Sequence, residues 1–169
     1  MAHSYQLIVS KSNIKSFRNL LEKADGAYVE WGIRKGAGDH PKADMPVAQL
    51  MAIHEFRDDE WRRPLFHIQA AQIADRQKLF PEIIYSVAQF LIKGASGGHL
   101  PITHYLSEVG RAAVKDAKGM FGKKGISYRG MHIPENTEAT AKIKGHDNPL
   151  FELGVLKKSV TFTTNRTRR

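Results

Sequence analysis

From Pro64 to Lys93 the chain keeps helical apolar spacing for some 30 residues, interrupted once, by Pro81. A proline inside a helix removes a backbone donor and clashes with the preceding turn, at a cost of about 3 kcal/mol or more. The stretch is therefore expected to kink or restart at Pro81, giving a long broken helix. Gly94-Ala-Ser-Gly-Gly98 ends it. A further helix over Thr103–Lys118 places Tyr105, Leu106, Val109, Ala112 and Ala113 for packing.

Around this helical centre the apolar period changes. Tyr5–Ser10 and Ala27–Arg34 alternate as strands do, and Ser159–Thr164 is β-prone. Between the first two, Ser12 or Asn13 offers an N-cap for a helix carrying Ile14, Phe17, Leu20 and Leu21, ended by Asp25-Gly26. Gly36–Pro41 reads as an exposed loop. Pro46 suits the first turn of a helix running to Phe56. Near the C-terminus a capped helical turn at Thr137, a Lys-x-Gly loop and a short amphipathic helix lead into the last strand. The expected architecture is α+β: a small antiparallel sheet of three to four strands packed with the long broken helix and several shorter ones. One domain spans residues 1–169. Its Gly-rich stretch 119–130 is expected to be a flexible basic arm, and 165–169 a short basic tail.

A chain of 169 residues can bury a real core. It has no apolar run long enough for a membrane span and no signal-peptide layout at its first residues. The lack of cysteine excludes disulfides and thiol chemistry. Charge is uneven. Residues 1–110 carry 13 Lys and Arg against 12 Asp and Glu, whereas residues 111–169 carry 13 against 5. A basic rear is either a solvated surface or a face for something acidic, DNA phosphate or protein.

No catalytic pattern accompanies this. His54-Glu55 begins a zinc-protease motif, but the position four after His54 is Asp58, which leaves the cage one imidazole short. His54 is instead expected at a helix end, partly protonated against the negative dipole. Asp58-Asp59-Glu60 sits among Arg57, Arg62 and Arg63 and reads as exposed ion pairing. Gly94–Gly98 lacks the Lys-Ser ending of a phosphate loop, and no serine has a G-x-S-x-G setting. Neither a cofactor nor a metal is expected. Trp61-Arg62-Arg63 combines the residue types that dominate binding hot spots.

Two regions resemble one family. Tyr28-Val-Glu-Trp-Gly-Ile33, then Val47–Phe56 ending in His-Glu-Phe, then Arg62-Arg-Pro-Leu-Phe66, resemble its strand, helix and Arg-Pro-Phe opening. Pro134-Glu-Asn-Thr137, Lys142-Ile-Lys-Gly145 and Pro149-Leu-Phe-Glu-Leu-Gly-Val-Leu156 resemble its closing motif, with Glu152-Leu153 in place of the family's Asp-Thr pair. The family is the tailed-bacteriophage neck and tail-completion proteins. The resemblance implies a non-enzymatic virion subunit, assembled in the host cytoplasm. It would form a six- or twelve-fold ring around the DNA channel, between the head connector and the tail-terminator or tail-tube proteins. On that reading Trp61, Arg62, Arg63 and Phe66 contact a neighbouring subunit. Phe121 anchors the basic arm, and Lys118, Lys123, Lys124 and Arg129 face lumen DNA or an acidic partner. The alternative is a small basic nucleic-acid-binding protein, whose affinity would fall steeply with salt.

Overall fold

The computed structural model describes residues 11–98, 100–151 and 153–166. Along the chain the elements are α1 (Lys11–Ala24), β1 (Ala27–Ile33), β2 (Asp39–His40), β3 (Met45–Pro46), α2 (Val47–Phe56), α3 (Leu65–Ala74), α4 (Phe80–Ala95), α5 (Ile102–Met120), β4 (Ser127–Tyr128), β5 (Met131–His132), α6 (Glu138–Lys144), α7 (Val155–Ser159) and β6 (Val160–Arg166). The fold is mixed α and β, with helices predominating.

The sheet is smaller than expected. β1 pairs antiparallel with β6 from Ala27↔Arg166 to Ile33↔Val160, so the terminal strand does return to the first half of the chain. Among the described residues no other strand joins that pair; β2–β3 and β4–β5 are separate two-residue hairpins. The expected strand Tyr5–Ser10 lies outside the described residues, as do His99, Glu152 and most of the basic tail, 167–169. α1 begins at Lys11, ahead of the expected cap at Ser12 or Asn13. Gly36–Pro41 is not a free loop either, because its end forms β2 and buries His40.

α5 is the central element. Ile102, Tyr105, Val109, Ala113, Ala117 and Met120 recur every three or four residues and are all buried. One flank packs on α4, where Phe90 meets Tyr105 edge-to-face at 5.9 Å between centroids. The other carries the β1–β6 ribbon. That approach is close at Gly110, where a Cβ would lie 2.3 Å from Phe162 Cδ2. A second core joins Val47, Met51, Leu65, Ile68, Met120, Ile133 and Leu156, so α2, α3 and α7 close over the C-terminal half of α5.

The break expected at Pro81 takes the form of a restart there. α3 stops at Ala74, the chain turns through Arg76 (φ 58°) and Leu79 (φ 59°), and Pro81 lies within the first turn of α4. At that position its missing N–H has no intrahelical role, so proline favours the start rather than breaking a continuous helix. The end of α3 is tied to the C-terminal half of the chain: Asp75 accepts from Tyr128 Oη at 2.5 Å and pairs with Arg129.

The same contacts correct the reading of 119–130 as a flexible arm. Gly119 and Met120 complete α5, Phe121 is buried in the core, and Gly122 N–H donates to Pro149 O at 2.9 Å. The hairpin β4–β5 is then tied to Asp75.

Polar groups hold the centre as well. Gln69, fully buried on α3, accepts from Trp31 Nε1 at 2.8 Å and donates from Nε2 to Ala113 O and Asp116 Oδ2, both at 2.9 Å. Lys78 completes the run on Asp116. Gln69→Leu keeps the bulk but leaves the indole N–H without its acceptor. It is expected to cost about 1–3 kcal/mol in urea unfolding.

Candidate functional site

An open groove of about 390 Å³ lies between β1, α2 and α3. Trp31, Ile33, Met51, Phe56 and Phe66 give it apolar walls, and Glu55 and His67 supply its polar edge. Glu55 explains the local geometry. α3 opens after Pro64, which provides no side-chain cap. The buried Glu55 carboxylate takes that place from the end of α2. It accepts Phe66 N–H at 3.2 Å, His67 N–H at 2.7 Å and His67 Nδ1–H at 2.6 Å. An anion there meets the positive end of the helix dipole and two of its free amides.

Because a carboxylate only accepts, His67 Nδ1 is the donor in that contact. Phe56, edge-on to that ring at 5.3 Å, is 69 % exposed. The arrangement suits reception of an apolar side chain, with the His67 ring as a polar group at the rim. Among the described residues no group of three or more His, Asp or Glu is placed to hold a metal ion. No helix there is long and apolar enough to cross a membrane.

The residues singled out in the sequence do not form one surface. Trp61 is exposed on the loop between α2 and α3, its N–H bonded to Asp59 Oδ1 at 3.0 Å. Arg62 and Arg63 turn inward: Arg62 Nε donates to Glu55 O at 2.9 Å and Arg63 Nη2 to Asn136 Oδ1 at 3.2 Å. Phe66 is half-buried in the groove wall, and Phe121, expected as an exposed anchor, is only 4 % exposed. Of the four cations assigned to an acidic partner, Lys124 pairs with Asp147 and Arg129 with Asp75. Lys118 is half-buried on α5, and Lys123 is exposed beside a separate cleft near Asp116. Arg57 pairs with Asp59, the exposed ion pair expected of that loop.

His54 differs most from expectation. It ends α2, but burial first, then Arg63, Lys144 and Arg57, lower its pKa to about 4, so it is neutral at pH 7. Cations and desolvation outweigh the helix dipole. The unfolded histidine, near 6.5, binds protons that the folded one refuses. Stability is therefore intact above pH 6.5 and is lost as pH falls from 6.5 towards 4. The loss is at most about 3 kcal/mol. His54→Gln is expected to flatten that limb of a stability–pH curve measured by urea unfolding.

Glu55, His67, Gln69 and Phe56 were not singled out for these roles from sequence. A polar Gln69 among Leu65, Ile68 and Ile73 was the visible sign; the capping role of Glu55 had none. No protein-family model, curated protein or solved structure matches the chain.

Proposed function

We propose that the chain is a structural subunit of the tailed-phage neck, a ring-forming head–tail connector or tail-completion protein. One observation carries this reading: two apolar surfaces on different elements, each exposed among the described residues. The first is the groove rim, with Phe56 at 69 % and Ile53 at 40 % exposed. The second is the outer stripe of α4, where Ile84, Tyr85 and Ile92 are each more than half exposed. A closed ring needs two unlike patches on every subunit, one meeting the other on its neighbour. The motifs resembling the neck family support the same reading. They also converge structurally: His-Glu-Phe and Arg-Pro-Leu-Phe are the two sides of the Glu55 cap and the groove.

The test is copy number in purified virions of the source, measured by quantitative mass spectrometry against the major capsid protein. A low fixed number, about one or two rings, is expected; absence from intact particles overturns the reading. Phe56→Ser separates assembly from folding. It is expected to change stability by no more than about 0.5 kcal/mol, since the ring is largely solvated, while reducing incorporation into particles. Wild-type incorporation by this variant removes the groove rim from the interface.

A monomeric nucleic-acid-binding role draws on the basic rear. It is weakened by the pairing of Lys124 and Arg129 with carboxylates. Tight binding of duplex DNA by the isolated chain, falling steeply with salt, would favour it.

A further inference from the structure

The groove is apolar except at its edge, where His67 gives Nδ1 to Glu55 and keeps Nε2 without a hydrogen bond among the described residues. A side chain that fits there has an apolar body and one polar atom at its tip. On the outer stripe of α4, Tyr85 has that make-up. It is 62 % exposed, and its hydroxyl makes no hydrogen bond among the described residues. Tyrosine suits an interface because its ring gains by burial while its hydroxyl still finds a partner. Ala88 and Ile92 follow Tyr85 at i+3 and i+7, the spacing by which a helix lays one face into a groove.

The charges beside the two surfaces are complementary. The loop that leaves the groove after Phe56 holds Asp58, Asp59 and Glu60 with Arg57, Arg62 and Arg63. Asp59 is taken by Arg57, and Arg62 and Arg63 turn inward to Glu55 O and Asn136 Oδ1. Asp58 and Glu60 stay exposed, with no ion pair among the described residues. Eight residues beyond Tyr85, about 12 Å along a helix, Lys93 is exposed in the last turn of α4 and likewise has no ion pair among those residues. Within one chain α4 packs on α5 and α1 rather than on β1, α2 or α3. The helix that fills the groove therefore comes from another copy.

We propose that the groove receives Tyr85 of a second copy of this chain, with its ring between Phe56 and Phe66 and its hydroxyl on His67 Nε2. Lys93 of that copy then lies over Asp58 and Glu60. A hydroxyl both donates and accepts, so the contact with the imidazole holds in either of its forms. The contact is heterologous: each copy gives α4 to one neighbour and its groove to the other, and such contacts close into rings. The inference rests on the ring reading above and adds to it the helix, the anchoring side chain and its seat.

The test puts the photo-reactive residue p-benzoylphenylalanine at position 85, which keeps an aromatic ring there. The isolated full chain at high concentration and purified particles are both irradiated, and the joined peptides are identified by mass spectrometry. A product of twice the chain mass is expected, linking position 85 to Met51, Phe56 or Phe66. A link within one chain, to another segment of a second copy or to a different protein overturns the proposal, as does the lack of any product in both samples. The expected product in the isolated chain, with the chain absent from particles, overturns the neck reading and leaves the docking of copies standing. In sedimentation of the isolated chain, Tyr85→Ser is expected to weaken self-association about tenfold or more. Tyr85→Phe is expected to weaken it several-fold through the lost hydroxyl. Because Tyr85 is exposed, neither variant is expected to change the melting temperature of the dilute chain. Self-association by Tyr85→Ser equal to that of the unchanged chain overturns the proposal.

Discussion

Glu55→Ala is expected to destabilise the protein by about 3 kcal/mol, lowering the melting temperature by roughly 6–12 °C for a chain of this size. The side chain is only 5 % exposed, and its two oxygens serve three donors. Truncation leaves two amides of the first turn of α3 and the His67 Nδ1–H facing a cavity. Each then bears its desolvation cost without a partner, and the carboxylate's interaction with the helix dipole is lost. Glu55→Gln distinguishes hydrogen bonding from size. The amide fills the same space, but its NH₂ must face one of three donors, so it is expected to recover only part of the loss. Glu55→Asp falls one methylene short and should resemble alanine more than glutamine. A cost below about 1 kcal/mol for Glu55→Ala, measured by urea unfolding, means that water replaces the carboxylate and that α3 needs no remote cap.

The same substitution at two glycines of α5 is expected to act in opposite directions. At Gly110 a Cβ would meet Phe162 Cδ2 at 2.3 Å and Cγ at 2.7 Å, distances that real contacts do not tolerate. Phe162 sits opposite Trp31 in the ribbon, so the ring can yield only by moving β6 off α5. Overpacking of this kind costs about 1–3 kcal/mol, occasionally more, against about 1 kcal/mol gained from helix propensity. Gly110→Ala is therefore expected to lose up to about 2 kcal/mol net. Near the end of the same helix Gly119 has nothing within 4 Å of the added carbon. Gly119→Ala should gain up to about 1 kcal/mol, less for its position near the frayed end. Paired thermal melts decide it: a stabilising Gly110→Ala would mean the ribbon is not seated on α5 as described.

What sequence reasoning read correctly was local. α2 follows Pro46, α5 covers Thr103–Lys118 with one residue at its start and two at its end beyond, and Thr137 caps α6 by accepting Thr140 N–H. These depend on period, caps and proline geometry, which act within a few residues. Errors arose where a distant group decided. The pinning of 119–130 turns on Asp75, which meets Tyr128 and Arg129 more than fifty positions along the chain. Phe121 lies within a glycine-rich basic run and looks like an exposed anchor, yet it is buried in the core cluster that includes Leu150.

The candidate site divides the same way. Its residue types were visible in the His-Glu-Phe and Arg-Arg-Pro-Leu-Phe strings, but their roles were not. Glu55 became a cap because α2 and α3 meet at an angle that aims its carboxylate at open amides. His54 lost its proton first because packing buries it, and then because Arg63 and Arg57 from the following loop and Lys144 from α6 act on it. By itself the sequence determined the main helices, the two strands that pair as β1 and β6, and that the rear of the chain is basic. Only the tertiary structure decided which charges are spent within the fold and which apolar side chains stay exposed. Short-range backbone preferences are written residue by residue, whereas burial and charge pairing exist only once distant segments are packed together.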